Sequence, residues 1–203
     1  DLRQTADIFK YFEDAKYLHN HVFKNHPVRF WKIIFGIQNN SHEIHTDLIK
    51  TKYWFKPYEG NVFNDNRTII RFNAIIHLFS FGYFHVHSLI LSFLSMIGLT
   101  GFYRTCVEQF KSQKKELILA SFFVPSVLFW GSGTLKESIL LFALGIFIFN
   151  FTRFLNGPKK LTSLLLIVLA LFLLTTTKTY VLFILTPSIT AFLLVKYISI
   201  NAV

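Results

Sequence analysis

LTSLLLIVLALFLLTTT, residues 161–177, is the stretch that decides the fold of this chain, because it is apolar over nearly its whole length. A helix needs roughly 20 such residues to cross the hydrocarbon core of a bilayer. Inside the bilayer the backbone must satisfy its own hydrogen bonds, which favours helices. Four further apolar runs predict additional spanning helices, at residues 85–103, 117–133, 135–151 and 179–195.

The composition agrees with a membrane protein. Hydrophobic residues make up 52% of the 203 residues and charged residues only 16%, which is too apolar for an ordinary soluble domain. The net charge of +10 would otherwise suggest nucleic acid. Because the basic residues lie in loops and in the polar first third, membrane topology explains them and no nucleic-acid partner is expected.

The loops that separate the apolar runs predict the orientation of the spans. Two of them are rich in Lys and Arg, which places them on the cytoplasmic side. Their basic residues are Arg104, Lys111, Lys114 and Lys115 in one loop and Arg153, Lys159 and Lys160 in the other. Lys136 and Lys178, on the alternate connections, then face outward together with residues 1–68.

The predicted fold is all-α, a polytopic transmembrane helix bundle. An extracytoplasmic, partly helical region (1–68) and an interfacial helix (69–84) precede a transmembrane domain of about five spans (85–196). The chain starts at Asp1 and its one methionine is Met96, so we expect a piece of a longer chain. The expected location is a bacterial inner (plasma) membrane.

Two helix faces carry small or polar residues at helical spacing. Asn73, His77 and Ser80 form a polar stripe on the predicted interfacial helix, which Gly82 would then turn into the first span. The first span carries a small-residue face that permits close helix packing. This face consists of Ser88, Ser92 and Ser95.

Acidic residues gather near the start of the chain, in DIFKYFEDAKYL at residues 7–18. Asp7, Tyr11 and Asp14 share one face of a predicted helix, and Glu13 lies beside them. Carboxylates next to a membrane surface can serve as general bases. The alternative is that they form solvated ion pairs with neighbouring lysines along the helix.

Cationic residues are predicted at the same outer face. Lys136 and Glu137 follow a Gly-Ser-Gly turn in PSVLFWGSGTLKES, residues 125–138, and Lys178 lies on a threonine-rich turn. Arg67 and Arg71 begin the interfacial helix. These cations could bind a phosphate, or Lys136 could anchor to ordinary lipid headgroups. Glu137 either neutralises Lys136 or holds its ammonium toward a substrate.

Histidines are frequent in the first third, but their spacing matches no strong metal motif. HNH at 19–21 and HEIH at 42–45 do not match the zinc-binding motif HExxH. We therefore interpret these histidines as scattered surface residues and not as metal ligands. No DxD-type acidic pair stands in the chain either. The sequence therefore supports neither a metal site nor another cofactor.

Three stretches together carry a family resemblance. TIIRFNAIIHLFSFG (68–82), PSVLFWGSGTLKES (125–138) and TTTKTYVLFILTP (175–187) resemble parts of polytopic bacterial surface-glycan proteins. The nearest class is the GT-C glycosyltransferases, which include relatives of the protein mannosyltransferases. The resemblance implies a lipid-linked sugar donor of the polyprenyl-phosphate type, with a glycan, lipid or protein as acceptor and membrane lipid as the surroundings.

The same resemblance implies roles for the candidate residues. A carboxylate, Asp7 or the Glu13 and Asp14 pair, would take the proton of the acceptor hydroxyl as it attacks the anomeric carbon. The departing polyprenyl phosphate would be stabilised by cations. Those cations are Arg67, Arg71, Lys136 and Lys178, with Glu137 and His77 as supporting residues.

Two other functions fit the same sequence. An O-antigen or exopolysaccharide polymerase would rely on the outer-face arginines. A noncatalytic scaffold or transporter component would need no catalytic group at all. Ionisable residues are scarce within the apolar runs, which counts more against an ion-coupled transporter than against a scaffold.

Overall fold

A computed structural model describes residues 6–37, 41–54 and 66–201 of the chain. In these ranges every regular element is a helix, which confirms the predicted all-α class. The helices are α1 (Asp7–Tyr17), which continues into a π-helical segment (Leu18–Phe23), α2 (Pro27–Phe35), α3 (His42–Leu48), α4 (Arg67–Ser80), α5 (Phe84–Gln109), α6 (Lys114–Phe122), α7 (Pro125–Gly131), α8 (Lys136–Asn156), α9 (Lys160–Lys178) and α10 (Tyr180–Asn201).

Three helices in the described part of the chain, α5, α8 and α9, are long and apolar enough to cross a membrane. They contain the predicted runs 85–103, 135–151 and 161–177. The apolar section of α10, Tyr180–Lys196, is shorter than these three helices. These features are those of a membrane protein.

The prediction of one continuous helix over residues 117–133 is wrong. The segment forms two short helices, α6 and α7, separated at Phe123 and Val124. Pro125 has no N–H to donate, and its ring disfavours helical geometry at the residue before it. Val124 accordingly adopts an extended conformation, and Pro125 begins α7.

Glycines allow α5 and α8 to approach each other closely. A Cβ atom added at Gly145 would overlap the backbone of Gly98, and one added at Gly98 would overlap the carbonyl oxygen of Leu141. Ser95, from the predicted small-residue face, is also buried on α5. The two backbones are therefore in direct contact, as is common between membrane helices.

The polar first third of the chain folds onto the ends of these long helices. Helix α1 packs against α4, and α4 contacts α5, α8 and α9. Side chains from both regions, such as Phe30 of α2, Ile70 of α4 and Leu174 of α9, belong to one hydrophobic core. That continuous core holds α1 and α4 in a fixed position at the start of α8.

Helix α4 ends in a tight turn, as the glycine at position 82 predicted. Phe81 and Gly82 both have positive φ angles, of 52° and 81°, and α5 begins at Phe84. The polar stripe of α4 does not lie on a lipid-facing or solvent-facing side. Asn73, His77 and Ser80 are all buried in the protein.

Candidate functional site

Most of the predicted cations lie at one end of the helix bundle. Lys136 is the first residue of α8, Lys178 is the last residue of α9, and Arg67 is the first residue of α4. The Thr68 hydroxyl donates a hydrogen bond to the backbone carbonyl of Thr176 at 2.6 Å, which joins the start of α4 to the end of α9. The topology had predicted that Lys136 and Lys178 share one end.

An ion pair joins α8 and α9 at this end. The Lys178 ammonium lies 2.6 Å from the Glu137 carboxylate, and the two side chains are 15% and 23% exposed. Glu137 thus neutralises Lys178, whereas the sequence had suggested Lys136 as its partner. The reason is that residues 136 and 137 are adjacent on a helix and point about 100° apart, while the last turn of α9 packs alongside Glu137.

This ion pair forms the polar wall of an open groove of about 400 Å³. The other walls are largely apolar and come from α7 and α8. The lining residues are Ser126, Val127, Trp130, Glu137, Leu140, Leu141 and Lys178. A second, smaller cavity of about 170 Å³ shares Val127 and Leu141 with the groove and extends along α6 to Gly98 and Gly145, beside the contact between α5 and α8.

Lys136 is buried, only 7% exposed, and does not reach toward lipid headgroups as the sequence had suggested. Its ammonium donates a hydrogen bond to the Asn66 side-chain oxygen at 2.7 Å. The Tyr11 hydroxyl donates to the same oxygen at 3.1 Å. Burial raises the pKa of the Tyr11 phenol, and the nearby charges of Asp7 and Glu137 add to the effect. Tyr11 is therefore held as a neutral donor between the acidic cluster and α8.

The three predicted carboxylates have different environments. Asp14 is buried, and its two oxygens accept hydrogen bonds from the backbone N–H groups of Lys52 and Tyr53, each at 2.8 Å. Burial raises the pKa of Asp14, and these two hydrogen bonds oppose the rise. Glu13 forms an exposed ion pair with Lys52 at 2.5 Å. Both residues fasten residues 51–54 to α1.

Asp7 lies at an exposed position on α1. It accepts a hydrogen bond from the Tyr53 hydroxyl at 3.0 Å in an exposed position. The Lys10 ammonium donates to the same hydroxyl at 2.9 Å. Asp7, Tyr11 and Asp14 thus share one face of α1, as the spacing predicted, but their partners come from residues 51–54 and 66. The expected ion pairs along the helix are replaced by contacts between segments.

The side chains of Arg67 and Arg71 contact other residues of the protein. Arg71 Nε donates to the Ile33 carbonyl at 3.0 Å, and its guanidinium lies 5.3 Å from the centre of the Trp54 ring. Arg67 Nε lies 3.4 Å from the Trp54 carbonyl. Both side chains connect α4 with the preceding segments. This geometry assigns them a structural role that the four-residue spacing could not reveal.

His77 belongs to a buried aromatic cluster. The centre of its ring lies 4.8 Å from that of Phe12 and 4.4 Å from that of His87. Burial is the main cause that lowers the pKa of His77 to about 4, so its ring is neutral near pH 7. His87 in turn bonds Asn73 at 2.8 Å and Ser80 at 2.9 Å. Asn73 and Ser80 are thus joined through His87 in a buried hydrogen-bond network, whereas His77 Nε2 is buried without a hydrogen-bond partner among the described residues.

Within the described ranges, no three His, Cys, Asp or Glu side chains form a group that could hold a metal ion. No family model, curated protein or solved structure matches the chain.

The sequence did not single out several residues that the structure brings to this end. Asn66 joins Tyr11 and Lys136, Tyr53 contacts Asp7, and Trp130 lines the groove. Asn66 stood in a turn-like NDN triplet, which gave a local signal for a turn but none for its distant partners. Trp130 lay within the quoted stretch 125–138, and its aromatic ring beside a predicted span end was the signal available.

Proposed function

We propose that the chain is an integral membrane glycosyltransferase that moves a sugar from a polyprenyl-phosphate donor to an acceptor. The observation that carries the proposal is the groove beside the Glu137–Lys178 ion pair, where charged and apolar walls meet. We place the reaction at the outer face of a bacterial inner membrane, in keeping with the basic loops at the opposite end of the helices.

The shape of the groove supports an amphipathic ligand. Trp130, Leu140 and Leu141 offer contact to a hydrocarbon chain, while Lys178 lies at the polar wall. The adjoining cavity, lined by α5, α6, α7 and α8, gives an isoprenoid chain further apolar surface beside the α5–α8 contact. A polyprenyl phosphate has this division into a charged head and a long apolar tail.

Lys178 is the cation best suited to the donor phosphate. Its ammonium is partly exposed at the groove and can exchange part of its contact with Glu137 for a phosphate oxygen. Charge stabilisation is worth most in a partly desolvated site, where a leaving group develops negative charge. Lys136 is buried on Asn66 and stabilises the surrounding structure instead.

Asp7 is the carboxylate that we assign as the general base. Its accessible position allows an acceptor hydroxyl to approach, whereas both oxygens of Asp14 are occupied by backbone N–H groups. Tyr53 and Tyr11 connect Asp7 to the start of α8, since their rings pack edge to face at 5.6 Å. In the reaction the hydroxyl proton goes to Asp7, the sugar forms a bond to the acceptor oxygen, and the phosphate leaves toward Lys178.

The contacts of Arg67 and Arg71 favour this transferase over a polysaccharide polymerase. A polymerase that relied on outer-face arginines would need guanidinium groups available to glycan or phosphate. Arg67 and Arg71 instead contact the backbone of other segments.

The test is a transfer assay on the protein in lipid, with radiolabelled polyprenyl-phosphate sugars. Asp7→Asn and Lys178→Met are expected to lower transfer by about a hundredfold or more, the usual scale for loss of a base or a charge stabiliser. Glu43→Gln and Lys196→Met are the matched controls, because they remove like charges elsewhere. Normal transfer by both Asp7→Asn and Lys178→Met would contradict the roles assigned to these two residues. If the wild type transfers sugar from none of the donors, the noncatalytic scaffold is favoured instead.

A further inference from the structure

A second open pocket lies at the opposite end of the helices from the Glu137–Lys178 groove. It has a volume of about 520 Å³ and is formed by the last turns of α5 and the facing part of α8. Its lining residues are Tyr103, Arg104, Val107, Glu108, Phe149 and Arg153.

Three charged side chains in this pocket have no charged partner within the described ranges. Arg104 and Glu108 are four residues apart on α5, a spacing that commonly gives an ion pair, yet none joins them. Arg153 packs its guanidinium 5.3 Å from the centre of the Phe149 ring. By contrast, Arg29, Lys52 and Lys178 each contact a carboxylate. The pocket charges are therefore available to a ligand.

The pocket lies at the end of two apolar helices, the level at which we expect phospholipid headgroups. Arg104 and Arg153 follow the apolar parts of two helices that are long enough to cross a membrane. Tyr103 and Phe149 lie beside them, and aromatic rings are common at the level of the headgroups. The surrounding loops are basic, with Lys111, Lys114, Lys115, Lys159 and Lys160.

We propose that this pocket binds the headgroup of an aminophospholipid. Arg104 and Arg153 contact the phosphate from two helices, since guanidinium groups match phosphate oxygens in geometry and charge. Glu108 receives the ammonium of an ethanolamine head. A purely anionic headgroup would place negative charge next to Glu108, so the carboxylate favours a lipid that carries both charges. The site is separate from the proposed transfer reaction and does not depend on it.

The test is native mass spectrometry of the purified protein in a mixture of dioleoyl phosphatidylethanolamine and dioleoyl phosphatidylglycerol at equal concentration. The wild type is expected to retain phosphatidylethanolamine in preference. Arg104→Gln with Arg153→Gln should lower its retention by about fivefold for each arginine. Glu108→Gln should abolish the preference while phosphatidylglycerol retention rises. Circular dichroism checks that each variant keeps its helices, as expected for exposed positions.

The matched control is Lys114→Gln with Lys159→Gln. It removes the same two charges from the same end of the protein without changing the pocket lining. This control should retain phosphatidylethanolamine as the wild type does. Equal losses in the control and the arginine variant would show a general charge effect and overturn the proposal. A wild type that retains phosphatidylglycerol equally or better would overturn it as well.

Discussion

Lys136 and Asn66 are joined by a buried hydrogen bond of 2.7 Å that fastens the first turn of α8 to the start of α4. Tyr11 donates to the same Asn66 oxygen, so one amide connects three helices at the proposed site. The buried ammonium needs this oxygen, because a charge taken out of water without acceptors is costly. Asn66 is thus a structural centre of this end of the molecule.

Replacement of Asn66 tests this role. Asn66→Ala removes an acceptor from a buried ammonium and from a buried phenol, which should lower the free energy of unfolding by about 2 kcal/mol or more. Asn66→Asp keeps the shape and supplies a carboxylate, so it should retain most of the stability. Thermal unfolding in detergent measures both variants. Equal losses of stability in Asn66→Ala and Asn66→Asp would contradict the contact of Asn66 with Lys136 and Tyr11.

The glycine contact between α5 and α8 predicts a sharp contrast between two alanine substitutions. Gly145→Ala places a methyl group against the backbone of Gly98, which should cost about 3 kcal/mol, at the upper end for overpacking. Gly133→Ala is the control, since its methyl group would make ordinary contact with the Leu135 side chain. Thermal unfolding of the two variants gives the comparison. A tolerated Gly145→Ala would mean that the two helices lie further apart.

His77 predicts a loss of stability in acid. Its pKa falls from 6.5 to about 4 on folding, so the folded state favours the neutral ring. The stabilisation is complete above pH 6.5 and is lost as the pH falls from there toward 4, in total about 3 kcal/mol. His19, whose ring centre lies 5.9 Å from that of His77, and Lys16 add to the repulsion of a proton.

His77→Phe is the variant that tests this pH dependence. Phenylalanine keeps an aromatic ring against Phe12 but cannot be protonated. The variant should therefore lose less stability than the wild type between pH 6.5 and 4. Unfolding curves across this range supply the measurement. Parallel pH profiles for the two proteins would exclude His77 as the group responsible.

A charge swap tests the ion pair between α8 and α9. Lys178→Glu alone places two carboxylates together and should destabilise the protein by about 2 kcal/mol. Adding Glu137→Lys restores opposite charges across the same contact, so the double variant should recover most of that loss. A double-mutant cycle of thermal unfolding measures the coupling. Additive losses would show that the two side chains act independently.

The sequence was sufficient for the three long helices but not for the break at Phe123 and Val124 or for the contacts between helices. Long apolar runs predicted α5, α8 and α9, because hydropathy and length alone determine whether a helix can span a bilayer. The apolar run at residues 117–133 predicted a single span, although it contains Pro125. The hydropathy of a short apolar run is the same whether the run forms one helix or two.

At the candidate site, too, the sequence predicted the helix faces but not the contacts between distant segments. The spacing of Asp7, Tyr11 and Asp14 predicted their common face, since a helix repeats every 3.6 residues. Tyr53, the partner of Asp7, is 46 residues away in the chain, and Asn66, the partner of Tyr11, is 55 residues away. No local pattern specifies such contacts. The pairing of Glu137 with Lys178 likewise depends on how α8 and α9 pack.

Photocrosslinking can test whether the groove beside Glu137 and Lys178 holds a polyprenyl phosphate, as we propose. A polyprenyl phosphate with a diazirine near its head would be activated on the protein in lipid, and the labelled peptides identified by mass spectrometry. We predict label on residues 126–141, competed by unlabelled polyprenyl phosphate and strongly reduced in Lys178→Met. Label elsewhere, or equal label with and without competitor, would contradict the account.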